Sequence, residues 1–250
     1  MRNTIQGPQV TWIDIQNPTE EDIQFLQKTY GLHPFILDEL IPPAWRTKVE
    51  TFPDYLFFVY YYPVYNKTNK HTRPRELDII VGKNLLITNH YNSLVPLKKL
   101  FDQCNLYEES KTKYMNETSG HLLFYLLKEL HENSLVKLDR INKKLHHIEE
   151  QIFMGNERQM LKEISYLKAD IINFWRIVNP QEEILESLQS QTVSFFGKEL
   201  HPYFTRLLGE WDQERNDLET YKETIESLEQ TNNGLLADKT NEIVKLLTLF

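Results

Sequence analysis

Tyr203 to Phe250 reads YFTRLLGEWDQERNDLETYKETIESLEQTNNGLLADKTNEIVKLLTLF, and this stretch decides the fold. All eleven prolines of the chain precede it, so no residue here breaks a helix by removing a backbone donor. The run predicts a single helix of about 48 residues, roughly 70 Å long at 1.5 Å per residue. A compact chain of 250 residues has a radius of gyration of only about 18 Å. Such a helix outreaches its own domain, and its apolar stripe needs partner helices or another medium. The segment is a stalk.

Two features of the stalk carry functional weight. Between residues 207 and 230, Glu210, Asp212, Glu214, Asp217, Glu219, Glu223, Glu226 and Glu229 face only Arg215 and Lys222, a net of −6. A solvated helix face is the plainer explanation. Clustered carboxylates also raise the local cation concentration, and their oxygens suit hard divalent ions. The second feature is the closing run Glu242-Ile-Val-Lys-Leu-Leu-Thr-Leu-Phe250, which grows more apolar to its last residue. A membrane span needs about 20 apolar residues, so the run predicts a piece of a longer chain that stops at a membrane boundary. An amphipathic end docking within an oligomer is the competing expectation.

Upstream of the stalk, Leu138, Ile141, Leu145, Ile148 and Ile152 are spaced as a heptad seam. Gly155-Asn156 interrupts it, and Leu161, Ile164, Leu167, Ile171, Phe174 and Val178 supply a matching stripe. The pair predicts a long antiparallel hairpin. Earlier still, Val10–Ile15 has strand composition, and Thr19 before Glu20, Glu21 and Asp22 is a helix N-cap signal. Pro34 to Ile41 reads as a short helix stopped by Pro42-Pro43. Tyr55 to Tyr65 is aromatic and β-branched throughout, as expected of a strand buried on both faces. Leu77–Val81 and Leu85–Thr88 flank a Gly82-Lys83-Asn84 turn, and Leu94–Phe101 reads as a covering helix. The predicted class is α+β: an α/β/α layered domain with a mainly antiparallel sheet over 1–115, a helical hairpin over 116–200, and the stalk helix over 201–250.

Composition narrows the function. The net charge of −8 argues against a duplex nucleic-acid binder. A single cysteine, Cys104, excludes an intramolecular disulfide framework, and with no apolar leader the chain reads as intracellular. His146-His147 with Glu149-Glu150 is a poor metal motif, because adjacent helical residues point about 100° apart. His131-Glu132 lacks a second His at position 135. The aromatic run from Tyr55 reads as core, and Trp12, Trp45, Trp175 and Trp211 as packing anchors. Neither a phosphate-cradling glycine loop nor a nucleophile elbow is present, so the expectation is no enzyme and no organic cofactor.

Asp238-Lys-Thr-Asn-Glu-Ile-Val-Lys-Leu-Leu-Thr248 resembles the segment leading into the first membrane helix of CorA-type magnesium transporters. Arg46-Thr-Lys-Val-Glu50 with Asp54-Tyr-Leu-Phe-Phe58 is similar to that family's Arg-Pro-Lys-Val-Glu and Tyr-Leu-Phe region, and Pro202-Tyr-Phe204 matches the start of its stalk. The resemblance implies a homopentameric funnel at the inner or plasma membrane, with these residues cytoplasmic. The implied cargo is Mg²⁺, with Co²⁺ or Ni²⁺ as further cargo, moved passively through a gate set by the stalk helices. It places Asn241 and Thr248 on the pore and makes Val244 and Leu247 apolar gate rings, Val244 standing where Met is commoner. Residues 241, 244 and 248 share one helical face. Some members share a regulatory Mg²⁺ between subunits; the matching positions here are Glu39, beside Asp38, and Arg206. Arg offers donors only, so a Glu39–Arg206 ion pair between subunits is expected in place of the metal, or sensing moves to Asp38 or Asp212. Two alternatives stand beside this reading: a soluble coiled-coil scaffold, and a zinc-transporting relative of the same fold.

Overall fold

A computed structural model describes residues 1–41 and 49–249. Within it the chain forms two compact units, each assembled from separated stretches. The first takes residues 1–63, 74–134 and 177–212; the second takes 64–73, 135–176 and those from 213 onward. Pro42, Pro43, Trp45 and the Arg46–Lys48 part of the family-like motif lie outside the described residues.

A six-stranded sheet organises the first unit. Its strands are β1 (Arg2–Gln6), β2 (Thr11–Gln16), β3 (Val49–Thr51), β4 (Tyr55–Asn66), β5 (His71–Gly82) and β6 (Leu85–His90). They lie in the order β1-β2-β6-β5-β4-β3. The expected turn after Gly82 joins antiparallel β5 and β6, with Gly82 opposite Leu85. β2 runs parallel to β6, pairing Trp12 with Leu86 and Ile13 with Ile87. A parallel pair cannot close through a tight turn, and here everything between residues 16 and 85 forms the crossover.

The period of two along each strand separates the faces. Ile13 and Ile15, Tyr55, Phe57 and Val59, Ile80 and Ile87 form one core with Leu26 from helix α1 (Glu20–Tyr30), Ile36 and Leu37 from α2 (Pro34–Glu39), and Leu40 at the C-cap of α2. Thr19 caps α1 as expected, in a reciprocal box with Asp22. On the opposite face Trp12 meets Phe101 of α3 (Val95–Leu106) edge to face at 5.0 Å. The predicted α/β/α layering is therefore present. A further short helix, α4 (Glu108–Met115), follows α3.

The remaining helices are α5 (Ser119–Phe153), α6 (Glu157–Val178), α7 (Gln181–Phe196) and α8 (His201–Thr248). Residues 116–200 thus hold three α-helices and a 3-10 turn at Lys198–Leu200, more than the two helices of the expected hairpin, because Asn179-Pro180 ends α6 and starts a new helix. At its start α5 packs so closely that a Cβ on Gly120 would collide with Leu200 Cδ1 and lie 2.9 Å from Phe196 Cδ2. In the second unit α5 and α6 reverse about Gly155, whose φ of +87° suits a residue without a side chain. The reversal is visible in the lining of one cavity, where Arg140 and Asp170, equidistant from Gly155 along the chain, meet. Leu138, Ile141, Leu145, Ile148 and Ile152 are buried as the seam requires. On α6 the stripe begins one residue earlier than expected: Leu161 is exposed and Met160 takes its place. Starting from Met160 keeps the 4-3-4-3 spacing with Ile164, Leu167, Ile171 and Phe174, so the true seam is the more regular one.

The 48-residue α8 has the length read from the sequence. Its buried residues Phe204, Leu207, Trp211, Glu214, Leu218, Ile225, Leu228 and Asn232 continue one heptad pattern. Within the first unit Trp211 donates its indole N–H to Val178 O at 3.0 Å. Within the second, Lys168 pairs with Glu229 at 2.7 Å. Lys239 pairs with Glu157 at 2.6 Å and reaches Gly155 O at 3.3 Å. All five places where the chain passes between units fall inside β4, β5, α5, α6 or α8.

Candidate functional site

The last turns of α8 hold the residues expected to line an ion path. Residues 237–249 are all exposed, because Lys239 is the last side chain tied to the hairpin. Val244 is 51% and Leu247 73% exposed, and Ile243, Leu246 and Leu249 stand in solvent beside them. Asn241 and Thr248 are exposed on the same helix, and Thr248 donates its hydroxyl to Val244 O at 3.1 Å. That bond ties one expected pore residue to the backbone of another. A helix end with five exposed large apolar side chains is not stabilised by its own chain; such patches mark contact with a partner or a membrane.

The acidic stretch upstream is more engaged than its sequence implies. Glu210 pairs with Arg206 at 2.7 Å, Glu219 with Lys222 at 2.8 Å, and Glu229 with Lys168 at 2.7 Å. Glu214 is turned inward and buried. The formal −6 therefore overstates the field this face presents. Asp212 is exposed.

At the other expected site, α2 ends with Asp38 exposed and Glu39 half-buried. Arg206, exposed on α8, has its guanidinium on Glu210 of the same helix, so any partner from another copy competes with that pair. The charge of Glu39 bears instead on Asp78, a buried β5 carboxylate that accepts a 2.7 Å bond from Asn89 Nδ2. Burial, then the neighbouring Glu76, then Glu39 push the Asp78 carboxyl well above the usual range, while the Asn89 bond opposes them. Among the described residues no three His, Cys, Asp or Glu side chains form a metal-sized group. Within one chain Asp38, Glu39 and Asp212 are thus not gathered as a ligand set, and His146 lies only near Glu149, at 3.7 Å.

Sequence reasoning missed two groups here. Asp78 could have been noticed, as a lone carboxylate inside Leu77-Asp-Ile-Ile-Val81. Lys239, which anchors α8 to the hairpin tip, carried no local signal.

A family model described as CorA-like Mg2+ transporter protein matches residues 7–250. The cobalt/magnesium transport protein CorA of Thermotoga maritima is 25% identical over 245 residues, covering 96% of this chain and 68% of that protein. Among solved structures, the complete CorA magnesium transporter of Methanocaldococcus jannaschii matches with a TM-score of 0.81 at 23% identity, over 96% of this chain and 74% of that one. The ZntB cytoplasmic domain from Vibrio parahaemolyticus matches with a TM-score of 0.63 at 12% identity, over 96% and 90%. Both structures share the fold: the mixed α+β class read from the sequence, with its mostly antiparallel sheet and long helices.

Proposed function

This chain belongs to the CorA-like Mg2+ transporter family, and from that membership we propose that it is the funnel and gate-setting part of a divalent cation transporter. Five copies surround the ion path with their α8 helices, which lead into the inner or plasma membrane from the cytoplasmic side. Mg²⁺ is the cargo and moves passively down its electrochemical gradient. Co²⁺, which the name of the Thermotoga maritima relative also carries, is a further cargo, and Ni²⁺ belongs to the same class.

The exposed apolar end of α8 is the observation that carries this reading. Rings of Val244 and Leu247 offer a hydrated cation no oxygen ligand, so a narrow ring dewets and blocks conduction. Asn241 and Thr248 flank the rings with polar groups that replace part of the hydration shell. No helix of the described residues is long and apolar enough to cross a membrane.

At the subunit boundary, Glu39 of one copy and Arg206 of the next form an ion pair where some relatives share a metal. That pair holds the closed geometry without sensing Mg²⁺; the alternative moves sensing to Asp38 or Asp212. A Mn²⁺ soak that places a fully occupied ion between Glu39 and Arg206 would remove this part of the proposal.

The coding sequence after Phe250 and a flux assay test the whole. Two apolar spans of about 20 residues with Gly-Met-Asn between them are expected, and a stop codon refutes the reading. In liposomes holding the complete gene product and a Mg²⁺-sensitive dye, Leu247→Asn raises resting flux; unchanged flux removes Leu247 from the gate. Transport of Zn²⁺ with no Mg²⁺ flux would favour the zinc alternative.

A further inference from the structure

The second unit contains a cavity of about 120 Å³ walled by Tyr65, Lys67, Thr72, Lys137, Arg140, Ile141, Lys144 and Asp170. In a chain of net charge −8, four cations from two distant segments converge on this one space. The one carboxylate in the lining is already committed. Asp170 is buried and accepts the Thr72 backbone N–H at 2.6 Å. Burial pushes its carboxyl above the usual range, against the two bonds from Thr72.

The cations differ in what satisfies them. Lys144 lies over the Tyr65 ring at 5.0 Å, with its ammonium 3.5 Å from the phenol oxygen. Lys137 is half-buried, and burial lowers it to about 8, with Glu214 opposing and the positive charge of Arg140 assisting. Among the described residues Arg140 and Lys67 have no hydrogen bond or ion pair. Both are exposed at the rim of this space, where a bound anion would replace water on a guanidinium with five donors and an ammonium with three.

We propose that this cavity binds a small phosphate oxyanion, with the Arg140 fork as its principal contact and Lys67 and Lys144 closing around it. The room is roughly that of four liquid waters, enough for inorganic phosphate and, with one end in solvent, for diphosphate. Arg is suited to such a ligand because its planar fork matches two phosphate oxygens at once. Ile141 and the Tyr65 ring supply the low-dielectric wall that strengthens charge-assisted bonds. Bound there, the anion links the β4–β5 turn to α5. This inference is independent of the transport reading and stands or falls separately.

Isothermal titration of the 250-residue chain with sodium diphosphate and with inorganic phosphate, at ionic strength held constant with sodium chloride, is the test. Saturable binding of diphosphate at one per chain is expected. Arg140→Gln weakens it about tenfold or more, as loss of a hydrogen bond to a charged group does, and Arg140→Lys recovers part. Lys67→Gln also weakens it, and both sites are exposed, so the variants keep their helical circular dichroism. With diphosphate bound, Lys137 holds its proton to higher pH, read by NMR of isotope-labelled lysine. Three results overturn the proposal: no saturable heat at millimolar diphosphate, an affinity unchanged in the Arg140→Gln/Lys67→Gln double variant, or binding only to vesicles with anionic phosphodiester headgroups.

Discussion

Replacing Asn232 by Leu should stabilise this chain. Asn232 is fully buried on the α8 seam, following Ile225 and Leu228 at the heptad spacing. Neither its Oδ1 nor its Nδ2 has a hydrogen-bond partner among the described residues. Each buried polar group left unmade costs about 1–3 kcal/mol, and a side-chain amide holds both a donor and an acceptor. Leu has a similar length, removes both orphan atoms and adds apolar surface to a seam that is apolar on either side. Imperfect fit of the branched end takes back part of the gain, since volume-conserving swaps cost up to about 1.5 kcal/mol. The expected net is about 2 kcal/mol, or roughly 4–8 °C in melting temperature for a chain of this size. Urea unfolding followed by helical circular dichroism reads it, as a higher midpoint at unchanged slope. A lower midpoint for Asn232→Leu at unchanged slope would refute the reasoning: the amide would then be stabilising the native seam, not straining it.

Three further outcomes follow from single contacts. Asp78→Asn keeps the Asn89 bond and removes a carboxyl whose folded-state proton affinity is raised by burial and by Glu76. The folded wild type then binds more protons than the unfolded chain above the ordinary Asp range, so its stability falls as pH rises; the variant should be the more stable at neutral pH, and the gap should close toward about pH 4. Lys239→Gln removes the partner that holds Glu157 below the usual carboxylate range. A depressed acid contributes stability above its unfolded value and loses it as pH falls, so wild type should exceed the variant at neutral pH and match it in acid, by thermal melting at both. Gly120→Ala, which brings a methyl onto Leu200 and Phe196, should cost about 1–3 kcal/mol, against the usual helix gain from replacing Gly; a rise in melting temperature would show that the neighbours yield.

What was readable in the sequence follows from how local each signal is. The Thr19–Asp22 box, the strand from Tyr55 and the length of α8 depend on neighbours in the chain, and each forms where expected. β1 was not anticipated because Arg2–Gln6 buries only Ile5, too little alternation to distinguish a strand from a polar terminus. The α6 stripe was displaced at its start because Met160 and Leu161 are equally apolar, and only packing chooses between them. At the end of α8, Asn241, Val244, Leu247 and Thr248 could be named from the resemblance of residues 238–248 to the CorA-type segment, a signal contained in one short run of one helix. The inward turn of Glu214 and the pairing of Glu229 with Lys168 could not, since their partners come from α5 and α6, distant in sequence. The same holds for Arg140, Lys67 and Asp170.

The five crossings between the compact units all lie within strands or helices, two of them beside Pro63 and Pro74. Neither unit therefore corresponds to a contiguous stretch of coding sequence. No single recombination event could exchange one for a homologue's version, and no protease nick at an exposed linker would release one intact. The two units can be inherited only together.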